Sequence, residues 1–282
     1  SIPAHTAADA ETLTARIIEL CDSAPVELET PGQAHRWLEM YVEEELTALL
    51  YRDALRREFP DLPVEVRPCP HQDWTTFWRH HFHIREIGRR LRIVPEWLRD
   101  EAPAGGDRVN LLVNPGLSFG TGDHFTTRYC LERIDQLVAE GQRPERMLDA
   151  GCGSAILAIA ARKLGWDNIL AVDHDPTAVQ QAAENLDLNG IDSGITLGVM
   201  DLTREWPQGP FPVVFANLYG GLLMELAPQL LRVCSGTLIL SGIRVIEAEA
   251  VASVFAALGA KECASDADHE WCGFRFECKS LI

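Results

Sequence analysis

No stretch of this 282-residue chain approaches the ~20 consecutive apolar residues that a membrane-spanning helix requires, so no membrane role is expected. The first residues show no basic segment followed by an apolar core, so no secretory leader is expected and the chain reads as cytoplasmic. Cysteine pairing is missing too. The eight cysteines never fall as C-x-x-C, which fits reduced thiols rather than a disulfide frame or a zinc site. His80, His81 and His83 lie too close in sequence, without other ligands nearby, to argue for a metal. Basic residues are in deficit, 25 against 42 acidic, giving a net charge of −17. Free nucleic acid is therefore not an expected partner, whereas a basic protein would be attracted. The length suits one large domain and a smaller companion, and the chain is expected to be a monomer.

What is present is concentrated in one run. Met147-Leu148-Asp149-Ala150-Gly151-Cys152-Gly153-Ser154-Ala155 leads into an apolar helix, and Ile169-Leu170-Ala171-Val172-Asp173 follows. The pattern reads as strand, glycine turn, helix, strand, with a carboxylate closing the second strand. Glycines let the backbone approach a ligand closely, and an acid at that strand end can grip both hydroxyls of a ribose. Asp173 stands twenty positions after Gly153, near the offset expected of a ribose-binding acid. A pyrophosphate site needs a third glycine where this chain has Ile156, so a dinucleotide is disfavoured. Asp149, just before the glycines, points instead to a cofactor with a cationic amino-acid end, S-adenosyl-L-methionine. A tight turn with no ligand is the plainer alternative.

The N-terminal third predicts a small α+β unit. Leu13, Ile17, Ile18 and Cys21 share a helical face; Val26, Leu28 and Thr30 alternate as in a strand, as do Leu38, Met40 and Val42. A helix carrying Leu46, Leu49, Leu50 and Leu55 follows, then a short strand at Val64 and Val66. That order is ferredoxin-like with its first strand either absent or reduced to Ser1-Ile2-Pro3. Residues 71–108 read as a linker helix and connector, with an aromatic face (Trp74, Phe77, Trp78, Phe82) and a basic island (Arg79, Arg85, Arg89, Arg90, Arg92). That island is either a docking arm or the solvated side of a buried face. From about residue 109 to 282, strands and helices alternate and a hairpin closes the chain, predicting an α/β, doubly wound sheet. The domain boundaries are thus 1–70, 71–108 and 109–282.

Two further segments can carry chemistry. The loop from Asn114 to Thr127 combines three glycines with hydroxyls and the ring of Phe119, and can wrap a small polar ligand. Phe215-Ala216-Asn217 ends the fourth strand, where an amide can accept a hydrogen bond from an incoming amine and aim its lone pair at a methyl carbon. Displacement from a sulfonium needs no nucleophilic residue, so positioning can supply most of the catalysis.

Together these motifs resemble the bacterial methyltransferases that modify large-subunit ribosomal protein eleven, from about Trp74 to Cys272. The run Phe119-Gly120-Thr121-Gly122-Asp123-His124-Phe125-Thr126-Thr127 is the most specific part. The resemblance implies a class I methyltransferase with a seven-stranded sheet, a small N-terminal substrate-recognition domain, and methylation of lysine side chains or an N-terminal amine of a basic ribosomal protein. By position it implies that Phe119, Thr121 and Gly122 belong to a loop that closes on the cofactor. It likewise gives Asp149, Gly151 and Gly153 to the glycine motif, Asp173 to the ribose, Asp201 to the adenine amino group and Asn217 to methyl transfer. The chain departs from that pattern at Ala155, which replaces a glycine, and at Leu218-Tyr219-Gly220-Gly221 after the asparagine. Two other readings stand beside it: an N-methyltransferase of a nucleobase or small-molecule amine, and a catalytically silent scaffold that binds S-adenosylmethionine.

Overall fold

The computed structural model describes residues 2–4, 17, 26–29, 36–40, 42, 45–60, 63–67, 83–103, 106–114 and 124–278. The chain divides into two compact units, Ser1–Phe77 and Trp78–Ile282.

In the first unit, β1 (Ile2–Ala4) and β2 (Val26–Glu29) both pair antiparallel with β3 (Arg36–Glu39), giving the order β1-β3-β2. Helix α1 (Glu45–Glu58) buries Leu55 against Ile17, Leu38 and Val64. The first strand that the sequence left open is present at Ile2–Ala4. The strand expected at Val64 and Val66 is not formed: residues 63–67 carry no strand pairing. The carbonyl of Val64 is taken by the Arg56 guanidinium at 2.9 Å, so this segment is tied to the helix rather than to the sheet.

The second unit is built on a seven-stranded sheet. Its strands are β7 (Met147–Ala150), β8 (Ile169–Asp173), β9 (Ile195–Val199), β10 (Phe211–Asn217), β11 (Cys234–Arg244), β12 (Lys261–Ala267) and β13 (Trp271–Glu277), in the order β12-β13-β11-β10-β7-β8-β9. β9, β8, β7, β10 and β11 run parallel, and β13 inserts antiparallel between β11 and β12. Numbered within this sheet the order is 3-2-1-4-5-7-6, so the doubly wound class and its closing hairpin are as read. Met147, Phe215 and Ile239 face one layer, formed by α2 (Phe125–Ala139), α3 (Ile156–Lys163) and α4 (Pro176–Leu188). Leu148, Val214 and Leu240 face the other, formed by α5 (Gly220–Val233) and α6 (Ala248–Ala257). The period-two alternation of each strand thus feeds two separate cores. The edge strand β12 is exposed along nearly its whole length and carries Lys261, Glu262 and Asp266.

Residues 85–113 make a separate three-stranded sheet of β4 (Arg85–Ile87), β5 (Leu91–Pro95) and β6 (Val109–Val113). It packs on the α2–α3 layer through Ile87, Leu91, Ile93, Leu111 and Val113. Asp135 of α2 clasps the β4–β5 turn, accepting from the Arg89 amide at 2.9 Å and pairing with Arg90 at 3.0 Å. Arg92 is buried and reaches Glu86 at 3.2 Å, which Arg108 also meets at 3.3 Å. Arg90 and Arg92 therefore serve the fold itself. Arg79 and the four aromatic residues of the connector lie outside the described residues.

Candidate active site

The carboxylates and amides singled out in the sequence gather where β7, β8, β9 and β10 end. β7 and β10 are neighbours whose chains leave in opposite directions, to β8 on one side and β11 on the other. This is the switch point at which doubly wound sheets open a crevice.

The turn after β7 is unusually contorted. Gly151 (φ 77°), Gly153 (φ 49°) and Ala155 (φ 57°) are all left-handed, and the amides of Gly151 and Cys152 both donate to the Val172 carbonyl at 2.9 Å. A Cβ on Gly151 would run into the Leu218 side chain, so the β7 turn and the β10 loop touch there. Ala155 holds a glycine conformation while keeping its buried methyl, so the departure noted in the sequence leaves the turn intact.

Asp173, at the end of β8, accepts from the Gly153 amide through Oδ2 at 2.9 Å and from the Asp175 amide through Oδ1 at 3.1 Å. Oδ1 also meets Nδ1 of the exposed His174 at 3.2 Å, so the lone pair left on Oδ2 is the one that suits a ribose hydroxyl presented from the crevice. Asp149 sits deeper, with only 1% of its surface exposed, and accepts from the Ala158 amide at 3.2 Å. Burial pushes its carboxyl up to about 7; the Ala158 amide opposes that rise and the charge of Asp173 adds to it. Asp149 is thus held behind the turn, poised between its charged and neutral forms at neutral pH.

Asn217 closes β10, opposite Ser241 of β11. Its Oδ1 is buried with no hydrogen-bond partner, a condition that costs about 1–3 kcal/mol unless something donates to it. Gly242 (φ 81°) leaves room beside it, since a Cβ there would stand 3.1 Å from that oxygen. Asp201, two residues past β9, is committed to its own loop. Its Oδ1 accepts from the Thr203 hydroxyl at 2.7 Å and amide at 3.0 Å, and Oδ2 pairs with Arg204 at 3.2 Å. The Thr203 donors hold its carboxyl below the usual carboxylate range. Phe119, Thr121 and Gly122 lie outside the described residues, although both flanks of their loop are placed. The Asn114 amide donates to Asn185 Oδ1 at 3.2 Å, and His124 caps α2.

Sequence reasoning missed Asn185 of α4. Asn185 is buried, and its Nδ2 donates to the Ser154 carbonyl at 3.0 Å, so one amide joins the glycine turn to the start of the 114–127 loop. The signal was a polar residue on the buried face of an otherwise ordinary amphipathic helix. A cavity of about 430 Å³ lined by Trp206, Pro210, Arg232 and Cys234 lies where β10 and β11 begin, at the other end of the strands, and contains none of these groups. Among the described residues no cluster of three or more His, Cys, Asp or Glu side chains is arranged to hold a metal. No described helix is long and apolar enough to cross a membrane.

The donor set fits a cofactor with a ribose and an amino-acid tail. Left-handed glycines leave backbone uncovered at the turn, Asp173 offers a lone pair on Oδ2, and the orphaned Asn217 oxygen awaits a donor. A protein-family model described as Ribosomal protein L11 methyltransferase (PrmA) matches residues 5–279. The ribosomal protein L11 methyltransferase of Chloroflexus aurantiacus is 37% identical over 234 residues, covering 74% of this chain and 70% of that one. That of Ectopseudomonas mendocina is 43% identical over 187 residues, covering 66% and 61% respectively. The crystal structure of ribosomal protein L11 methylase from Lactobacillus delbrueckii subsp. bulgaricus matches with a TM-score of 0.63 at 32% identity, over 70% of this chain and all of that one.

Proposed function

This chain belongs to the ribosomal protein L11 methyltransferase family, and we propose from that premise that it methylates amino groups of ribosomal protein L11, with Asn217 at the point of transfer. It is a protein methyltransferase, and S-adenosylmethionine is its methyl donor. The observation that carries the assignment of the site is the buried, unpartnered Oδ1 of Asn217 at the switch point of the sheet.

When bound, S-adenosylmethionine supplies an electrophilic methyl group on a sulfonium and leaves as a neutral thioether. The chain's own residues do the rest by placement. Asp173 accepts from the ribose hydroxyls with its backbone-held carboxylate, while Gly151 and Gly153 permit close approach of the main chain. In the proposed roles, Phe119, Thr121 and Gly122 cover the donor, and Asp201 stands beyond β9 on the adenine side. Asn217 Oδ1 accepts an N–H of the neutral amine and so points its lone pair at the crevice. An amide is not a base at neutral pH, so the proton of a lysine, with a reference pKa of about 10.4, leaves to solvent before attack. The net charge of −17 supports a basic protein partner; in this proposal a monomeric enzyme meets it in the cytoplasm. The first unit would serve to recognise it.

The test is transfer of labelled methyl from S-adenosylmethionine to purified L11 and, separately, to ribosomal RNA. Label in L11 is the expected result, and label confined to RNA would overturn the proposal. Asn217→Ala should lower kcat by about 100-fold or more while leaving donor affinity within about twofold. A loss confined to donor binding would remove Asn217 from its assigned place.

A further inference from the structure

Strand β11 begins with one residue more than its neighbour can match. Phe211 of β10 stands opposite Cys234 and Val213 opposite Thr237, so two steps along β10 face three along β11. The surplus falls at Ser235 and Gly236. A Cβ on Gly236 would stand 2.5 Å from the Pro212 carbonyl oxygen, so only glycine suits this position. Bulges of this kind bend a strand and re-aim a side chain. On the other side of β11, the Cys278 amide donates to the Gly236 carbonyl at 2.7 Å. The Gly236 amide in turn points at the Cys234 sulfur, and the Cys234 and Cys278 thiols share a hydrogen bond. Both side chains belong to the core layer under α5 and α6.

That thiol–thiol bond is asymmetric. With Cys234 as donor it holds the Cys278 thiol below its ordinary value, against burial. The same bond, together with burial, pushes Cys234 up. The reactive thiolate form therefore gathers on Cys278, with a second thiol already in contact. Cys234 is only 2% exposed and Cys278 9%, which shuts out bulky reagents. Cys234 and Ser235 nevertheless form part of the wall of the cavity at the start of β10 and β11, and a water-sized oxidant can enter there. Asn217 lies at the other end of β10.

We propose that Cys234 and Cys278 form a peroxide-reactive dithiol site, separate from the methyl-transfer site, that closes reversibly to a disulfide. The Cys278 thiolate attacks one oxygen of hydrogen peroxide; an S–O bond forms, the O–O bond breaks, and hydroxide leaves and is protonated to water. Cys234 then attacks the Cys278 sulfur. The S–S bond forms as the S–O bond breaks, and the second hydroxide leaves as water with the Cys234 proton. The two thiols lose two electrons and the peroxide gains them. A dithiol such as dithiothreitol reverses the bond by exchange.

The test treats reduced full-length enzyme, freed of reductant, with hydrogen peroxide in its native state. Remaining thiols are then blocked in denaturant and the peptides mapped by mass spectrometry. A Cys234–Cys278 crosslink is expected, forming about tenfold or more faster than oxidation of the exposed Cys263 and disappearing with dithiothreitol. Cys234→Ser should stop at a Cys278 sulfenic acid, trapped by dimedone. Cys278→Ser should leave Cys234 oxidised no faster than Cys263. Thermal unfolding shows whether each variant is folded; where one is not, the crosslink in the unaltered enzyme and its rate against Cys263 decide. Absence of the crosslink, its formation only in denaturant, or a rate no greater than that of Cys263 would overturn the proposal. So would a folded Cys234→Ser variant without the dimedone adduct, or fast oxidation of Cys234 in Cys278→Ser.

Discussion

Asp149 and Asp173 are both carboxylates at strand ends, yet burial gives them opposite characters. Asp173 meets backbone donors at the crevice, whereas Asp149 is sealed behind the turn with its carboxyl raised from 3.8 to about 7. A carboxyl whose pKa is higher in the folded state holds its proton more tightly there than in the unfolded chain. Stability of the unliganded protein should therefore fall as pH rises from about 4 towards 7 and level off above. Asp149→Asn keeps an acceptor for the Ala158 amide and removes the charge. It should stabilise the unliganded enzyme at pH 8 by about 2–4 kcal/mol in denaturant unfolding, and should flatten that pH dependence. Equal slopes in the two proteins would mean that Asp149 stays ionised. Asp173→Ala should instead weaken S-adenosylmethionine binding by about 1–3 kcal/mol, read by calorimetry, because it removes hydrogen bonds to a charged acceptor. Unchanged affinity would place the ribose elsewhere. The sequence made both acids visible by position. It could not separate them, because the difference is one of depth: Asp149 occupies a fully buried strand and Asp173 the half-buried last position of its neighbour.

At the scale of elements, helix α4 does more than cover the sheet. Asn189, one turn after Asn185, accepts from the Leu112 amide at 2.9 Å and donates to the Leu112 carbonyl at 2.6 Å, as a neighbouring strand would. Asn185 carries the same clasp to Asn114 and back to Ser154 in the glycine turn. Replacing Asn185 by Ala should destabilise the fold by about 1–3 kcal/mol in thermal or denaturant unfolding, since it strands a buried amide and a carbonyl. It should also raise KM for the donor several-fold, as the turn and the loop lose their common anchor. A variant of unchanged stability would show that water replaces both bonds. The long periodic elements, β7 to β13 and the helices between them, were legible because apolar spacing and glycine punctuation agree along each of them. The strands of 85–113 were not legible. Arg85, Arg89, Arg90 and Arg92 gave the segment a solvent-facing composition, whereas in the fold Arg90 and Arg92 find Asp135 and Glu86. The expected strand at Val64 failed for a related reason, since alternation alone does not provide a strand to pair with.

For the molecule as a whole, the excess of 42 acidic over 25 basic residues is a long-range attraction for a basic substrate. Raising ionic strength from 0.05 to 0.5 M should increase KM for L11 by about tenfold while kcat and donor affinity change little, because screening acts on encounter between exposed charges. A salt-independent KM would mean that contact surfaces alone govern the encounter. One consequence belongs to the margin of the sheet. A row of unsatisfied amides and carbonyls along β12 would invite another chain to add a strand, but Lys261, Glu262 and Asp266 keep that border hydrated. Substituting these three with valine or threonine should leave the pocket alone and turn a well-behaved protein into one that self-associates through its own hem.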